Sequence, residues 1–395
     1  MLTVLPQGGN VEYSHENKIF DGKDIDYYLC SVYVNGVDLF KEWAKKHEFS
    51  KIVVGGYEAT ITPQDFIQYA HKIVKGPCDD FFETVKQDGQ IVKGIVNFKE
   101  MPRYDLHDPK NNKKSIPELM PGELLVTINT SQGCPHACDF CQTPLMFGRN
   151  ILSKPLGLVR KEVEHLKTQN PDYLFIRDEN FTALNDFKER LSIIGETGAK
   201  IWLFSSANTL NEEKIKCLKE NGVYMVLMGL EDITQSYSKN KNIDKVSGLL
   251  HENGIYPALT YIVDPLSLDT DGKISDYFGK LSQRFKDLKP ALLYGYFLLP
   301  LRGTPMYEKY RHLILDSDFK NYDFSSAFLV RDPVQKEKLE RAMIQCKSDY
   351  YTSDFYRENV REFECGDQLH LTFEREKSKW MQSKESNKDD AASVL

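Results

Sequence analysis

The sequence predicts an α/β protein: a partial (β/α)6-type barrel preceded by a small, truncated Rossmann-like α/β domain. Three observations carry this. From Leu124 onward, short apolar runs alternate with segments of helical period, the pattern of repeated βα units and a parallel sheet. The first four of those runs each end in polar residues, where a barrel enzyme places its functional groups. Nearer the N-terminus, two further strand candidates flank a helix, and the second runs straight into Gly55-Gly56.

The elements follow in order. Asp26–Tyr33 reads as a buried strand. Val37–Lys46 reads as a helix with Leu39, Phe40 and Trp43 on one face, and Lys51–Val54 as a second strand. Glycines at 55 and 56 would let the backbone turn tightly and approach a ligand closely. Gln64–Ile73 is expected to be helical, and Lys99–His107, with Pro102, to be a linker. Barrel strands are expected at Leu124–Ile128, Tyr173–Ile176, Ile201–Phe204, Val223–Met228, Tyr256–Val263 and Leu292–Leu299. Helices are expected at Leu156–Thr168, Asp186–Glu196, Asn211–Glu220 and Asp244–Glu252; Asn221-Gly222 and Gly254 supply stop signals. After about Ser317 the βα rhythm stops. Val334–Tyr351 reads as a helix, and the charged stretch from Glu374 as a frayed tail. The organisation expected is a small α/β domain over 1–110, the barrel over 111–315, a helical extension over 316–375 and a disordered tail over 376–395.

Composition bounds the class. Hydrophobic residues make up 41% and aromatic residues 12%, enough for a sizeable core. A formal charge of -7 gives no electrostatic case for nucleic acid as a general partner. Met1–Tyr13 shows no secretory pattern, and the apolar stretch Ala291–Leu301 is too short to span a bilayer. A cytoplasmic protein with reduced thiols is expected.

Three of the eight cysteines fall within one loop, Gly133-Cys134-Pro135-His136-Ala137-Cys138-Asp139-Phe140-Cys141, with spacing Cys-x3-Cys-x2-Cys. Three thiolates can hold three irons of a cubane and leave the fourth open to a reactant. The competing readings are zinc and structural thiols. Zinc usually takes ligands from two separated pairs. Here Cys30, Cys78, Cys217, Cys346 and Cys365 are scattered singly, and His136 lies between the first two loop cysteines.

The loop, with Phe140 at the aromatic position, resembles the signature of the radical S-adenosylmethionine superfamily. The resemblance extends further. Val53–Thr60 with Pro63, Met101–Leu106, Phe147–Arg149, Asp178–Thr182, Gly229–Glu231 and Leu299–Tyr307 are similar to segments of the subgroup that carries an N-terminal cobalamin-binding domain. The departures are an N-terminal domain short of its first strand, no Asp-x-His-x-x-Gly, and Glu58 where histidine is frequent.

The resemblance implies that Cys134, Cys138 and Cys141 ligate a 4Fe-4S cluster, with Phe140 near the adenine of S-adenosylmethionine. Asp178, Glu179 and Asn180 would contact its amino group or ribose, and Ser206 and Glu231 would add polar contacts. Cleavage of the sulfonium would give a 5′-deoxyadenosyl radical that acts on an unactivated carbon of a small-molecule substrate. Electrons would come from a donor such as flavodoxin or ferredoxin. Cobalamin stays open as a further cofactor, and with it methyl transfer. The alternatives are modification of a peptide or RNA, and a non-catalytic iron–sulfur assembly partner. Tyr261, Tyr294, Tyr296 and Phe297 would suit an apolar substrate wall, although ordinary core packing is the simpler expectation.

Overall fold

The computed structural model describes residues 26–102, 123–234, 237–315, 319, 322 and 324–360. The expected boundary near residue 110, most of the linker and the tail at 376–395 lie outside the described residues.

The N-terminal unit is a four-stranded parallel sheet in the order β1 (Tyr28–Ser31), β2 (Ile52–Gly55), β3 (Lys72–Lys75) and β4 (Ile91–Lys93). Among the described residues that order never reverses, so no topological switch point, the place where open α/β sheets admit ligands, lies within these four strands. Helix α1 (Val37–Ala44) packs Val37, Phe40 and Ala44 onto Ile52, Val54 and Ile73 of one sheet face. The other face buries Val53, Val74 and Val92 with Phe81 of α3 (Phe81–Val85). The helix expected over 64–73 is not formed. A 3-10 turn spans Pro63–Phe66, and Ile73 lies inside β3. Ile73 and Val74 are β-branched and pair between β2 and β4, so tertiary burial outweighs a run whose spacing fits a helix. A second short helix, α2 (Tyr57–Ile61), follows β2.

The larger unit is a six-stranded, all-parallel open barrel. Its strands are β5 (Leu125–Ile128), β8 (Tyr173–Ile176), β9 (Lys200–Phe204), β10 (Val223–Gly229), β11 (Tyr256–Val263) and β12 (Leu292–Phe297), adjacent in that order. A small antiparallel pair, β6 (Ser131–Gln132) and β7 (Leu152–Ser153), sits at the mouth after β5. The helices between strands are α4 (Thr143–Phe147), α5 (Leu156–Lys167), α6 (Phe187–Gly195), α7 (Glu212–Glu220), α8 (Ile243–Glu252) and α9 (Asp271–Leu288). Asn211 caps α7 by accepting from the N–H of Lys214 at 2.9 Å. The longest of these helices, α9, completes the βα alternation between β11 and β12 and was not anticipated from the sequence. It buries Ile274, Tyr277, Phe278, Leu281, Phe285 and Leu288.

Beyond α10 (Pro305–Tyr310), α11 (Pro333–Tyr351) and α12 (Asp354–Val360) join the barrel core rather than forming a separate layer. Leu339, Met343, Tyr350 and Tyr356 are buried in the same cluster as the strands. The Tyr351 hydroxyl accepts from the N–H of Leu293 on β12 at 2.7 Å. Among the described residues no helix is long and apolar enough to cross a membrane.

Candidate active site

The strand ends converge as the βα rhythm requires, and the cysteine loop is the first of them. Immediately after β5, Thr130 and Ser131 are tied to Asp178 at the end of β8. Asp178 Oδ1 accepts from the Thr130 N–H at 2.6 Å, and Oδ2 accepts from the Thr130 and Ser131 hydroxyls, each at 2.6 Å. Asp178 is fully buried. Its oxygens are therefore spent bracing the entry to the cysteine loop, which corrects the expectation that it contacts a ligand. Asp178→Ala would leave three buried donors without partners. We expect it to cost roughly 3–5 kcal/mol by denaturant unfolding. Asp178→Asn, which keeps one acceptor, should cost about 1 kcal/mol.

Glu179 is half-buried and accepts from the Gly133 N–H at 3.0 Å, one residue before Cys134. Burial, then the neighbouring Asp178 charge, pushes its carboxyl up to about 7. Further along, the Cys141 N–H donates to Cys138 O at 3.1 Å, and the Met306 N–H donates to Asp139 O at 3.0 Å. Gln142 Nε2 donates to Arg302 O at 2.9 Å, so the loop after β12 holds the cysteine loop from the far side.

All three thiols are half-buried and free. Burial raises Cys134, and it pushes Cys138 up to about 11; the Cys141 thiolate adds to both. Mutual repulsion of this kind is what bound cations relieve. Among the described residues no three His, Cys, Asp or Glu side chains converge on one point. A cubane takes each thiolate on a different iron. Three thiols at Cys-x3-Cys-x2-Cys spacing on one loop fit a 4Fe-4S cluster.

Asn180 is the candidate that offers a ligand something. It is 2% exposed; Oδ1 accepts from the Ser206 N–H at 3.1 Å and from Thr209 Oγ1 at 3.3 Å. Its Nδ2 donor is buried and donates to nothing in the protein. A buried, unspent donor at a strand end fits the acceptor oxygens of S-adenosylmethionine. Ser206 thus enters by its backbone, which fixes Asn180.

Glu231 is buried and forms an ion pair with Lys239. Lys239 Nζ also sits 5.4 Å from the centroid of the Phe140 ring, which meets Tyr237 edge-on at 5.6 Å. A small cavity runs from Phe140 past Glu231, Asp232 and Ile262 to Asp264 and Met306, linking the cysteine loop with the ends of β10 and β11. Sequence reasoning missed Lys239. It lies among Lys239, Lys241 and Lys245 with no spacing to single it out.

The four aromatics separate. Tyr261 and Phe297 are buried, and the Tyr261 ring lies 5.3 Å from that of Phe285 on α9, so they are outer-face core. Tyr294 and Tyr296 alternate with them, are partly exposed, and so line the inner face of the barrel.

The N-terminal unit meets this site through its own chain. A Cβ at Gly56, whose φ is +93°, would lie 2.8 Å from Ser31 Oγ and 2.9 Å from Val32 N. The close approach foreseen at the glycine pair is therefore to β1 and not to a ligand. Beyond the strand ends lies α4 of the cysteine loop. Thr60 Oγ1 contacts Met146 Sδ at 3.3 Å, and Tyr57 meets Phe147 at 6.2 Å. Arg302 pairs with Asp65 at 3.0 Å and Glu58 at 3.5 Å. These contacts join the end of the N-terminal sheet to the cysteine-loop helix and to the loop after β12.

Residues 128–248 match the family described as the radical SAM superfamily. The bacteriochlorophyllide d C-8(2)-methyltransferase of Chlorobaculum tepidum is 24% identical over 379 residues, covering 86% of this chain and 81% of that one. The hopanoid C-2 methylase of Rhodopseudomonas palustris is 23% identical, covering 78% and 62%. Among solved structures, the radical S-adenosylmethionine methyltransferase TsrM from Kitasatospora setae, with cobalamin and a [4Fe-4S] cluster bound, superposes with a TM-score of 0.53 at 16% identity. The cobalamin-dependent S-adenosylmethionine radical enzyme OxsB superposes with a TM-score of 0.54 at 16% identity. The alignments cover 69% and 82% of this chain, and the chain spans only 62% and 59% of those two.

Proposed function

We propose that the chain is a radical S-adenosylmethionine enzyme that acts on an unactivated carbon of a small-molecule substrate by way of a 5′-deoxyadenosyl radical. The observation that carries this is the three-thiol loop at the end of β5, with the unspent Asn180 donor at the end of β8. When bound, the cluster supplies one electron to the sulfonium of S-adenosylmethionine, and the cofactor pair carries the hard chemistry.

The protein's residues do the rest. Cys134, Cys138 and Cys141 hold the cluster, and Asp178 and Glu179 fix the backbone that presents them. Asn180, oriented by Ser206 and Thr209, offers its amide to S-adenosylmethionine. The inner-face Tyr294 and Tyr296 form an apolar wall that keeps water from the reacting carbon. A small electron-carrier protein of the flavodoxin or ferredoxin kind would supply the electron.

A second reading is methyl transfer, favoured by the names of the relatives at 24% and 23% identity.

The test is anaerobic reconstitution with iron and sulfide, followed by S-adenosylmethionine and dithionite, with and without hydroxocobalamin. The expected result is 5′-deoxyadenosine by mass spectrometry. Retained corrin would favour the methyl-transfer reading. Absence of both iron and 5′-deoxyadenosine in a folded sample would overturn the proposal.

A further inference from the structure

We propose that Lys239, anchored by Glu231, is a positioning residue that holds a positive charge beside the thiolate loop and makes its cluster easier to reduce. The inference rests on the cluster assignment above and concerns a residue outside the cysteine motif.

The pair is built rather than incidental. Glu231 is 4% exposed and adopts φ +55°, a left-handed conformation that non-glycine residues seldom take. Its carboxylate fits only because residue 229 is glycine, where a Cβ would lie 2.0 Å from Glu231 Oε1 and 3.3 Å from Lys239 Nζ. The segment that carries the lysine is folded back onto the end of β10, with Asn240 Nδ2 donating to Leu230 O at 2.8 Å. The lysine side chain is largely buried, and its ammonium lies over the ring of Phe140, between Cys138 and Cys141 in the chain. Burying the Lys239 ammonium and holding Glu231 in an unusual backbone conformation are both costly, and an exposed loop lysine would avoid both. What the arrangement gains is a fixed cation beside a loop with three thiolates.

The consequence is electrostatic. Three thiolates make the site anionic, and the incoming electron adds one more negative charge in a partly desolvated setting. A fixed cation there stabilises the reduced form over the oxidised form, and the carboxylate of Glu231 moderates it. The electron comes from the external reductant, and no bond is made or broken at Lys239.

The two members of the pair therefore have opposite effects, which a purely structural ion pair cannot give. Removing either partner of a structural pair would loosen the same loop and move the potential the same way. The experiment is a potentiometric titration of the anaerobically reconstituted full-length protein without S-adenosylmethionine, followed by electron paramagnetic resonance. Iron and sulfide content are measured for each variant. Lys239→Met should make the cluster harder to reduce, Glu231→Gln should make it easier, and Lys239→Arg should stay near wild type. Shifts of the same sign in Lys239→Met and Glu231→Gln, or none in either at equal iron content, would overturn the inference while leaving the cluster intact. A wild-type protein that takes up no iron would overturn the cluster assignment as well.

Discussion

Cys138→Ala should leave a folded protein that makes no 5′-deoxyadenosine above background. The thiol is half-buried in a loop and takes no part in the barrel core. Its backbone carbonyl, which accepts from the Cys141 N–H, survives the substitution. Stability should therefore change by less than about 1 kcal/mol. The lost ligand leaves one iron of the cluster without a protein thiolate, and the electron that cleaves the sulfonium has no reliable carrier. Iron and sulfide content, the spectrum of the reduced cluster and 5′-deoxyadenosine by mass spectrometry are the readouts. Cys346→Ala is the matched control. That cysteine is buried on α11 against Phe278 O at 3.7 Å, so its loss should cost about 1 kcal/mol of stability and no iron. Full 5′-deoxyadenosine yield from Cys138→Ala would remove the cysteine loop from the reaction.

The contrast between those two cysteines was legible in the sequence, because spacing alone separates a cluster of thiols from a solitary one. The barrel was legible for a similar reason. Strands buried on both sides, such as Tyr173–Ile176 and Val223–Gly229, are continuous apolar runs, and the intervening helices carry recognisable stops at Gly222 and Gly254. Helix α9 had its signal too: Ile274, Tyr277, Phe278, Leu281 and Phe285 recur at helical spacing behind Thr270, which accepts from the Lys273 N–H. Strand β3 was harder. His71–Lys75 continues the apolar content of the preceding turn, and only its pairing with β2 and β4 separates the two.

Within the site, the sequence could place Asp178, Glu179 and Asn180 at one strand end but could not rank them. A carboxylate with both oxygens already bonded and an amide with an idle N–H look alike until their neighbours are known. Lys239 could not be found at all, since its partnership depends on a segment folding back onto β10. The glycine pair misled for a physical reason. Glycine allows close approach of backbone to a ligand and to another strand equally, and at Gly56 the neighbour is Val32.

Arg302→Ala should destabilise the protein by about 3 kcal/mol at pH 8, and by less at pH 5.5, because it leaves a buried carboxylate without its cation. Glu58 is fully buried, and Arg302 reaches it at 3.5 Å while holding the more exposed Asp65 at 3.0 Å. The guanidinium also stacks 3.9 Å from the centroid of the Phe319 ring, so its removal takes packing as well as charge. Burial raises the Glu58 carboxyl above its ordinary value even with Arg302 nearby, so the folded state holds this proton more tightly than the unfolded chain does. Stability from that proton is fully present below the unfolded value of about 4.3 and is lost as pH rises through the folded value. Without Arg302 the folded value rises further, and the pH slope of the variant becomes steeper than that of the wild type. Glu58→Gln in the Arg302→Ala background removes the stranded charge and should recover most of the lost stability at pH 8. Urea denaturation at the two pH values measures all of this. An Arg302→Ala penalty equal at both, and unrelieved by Glu58→Gln, would assign the contact to the packing on Phe319 and leave the ion pair without a part in joining the two units.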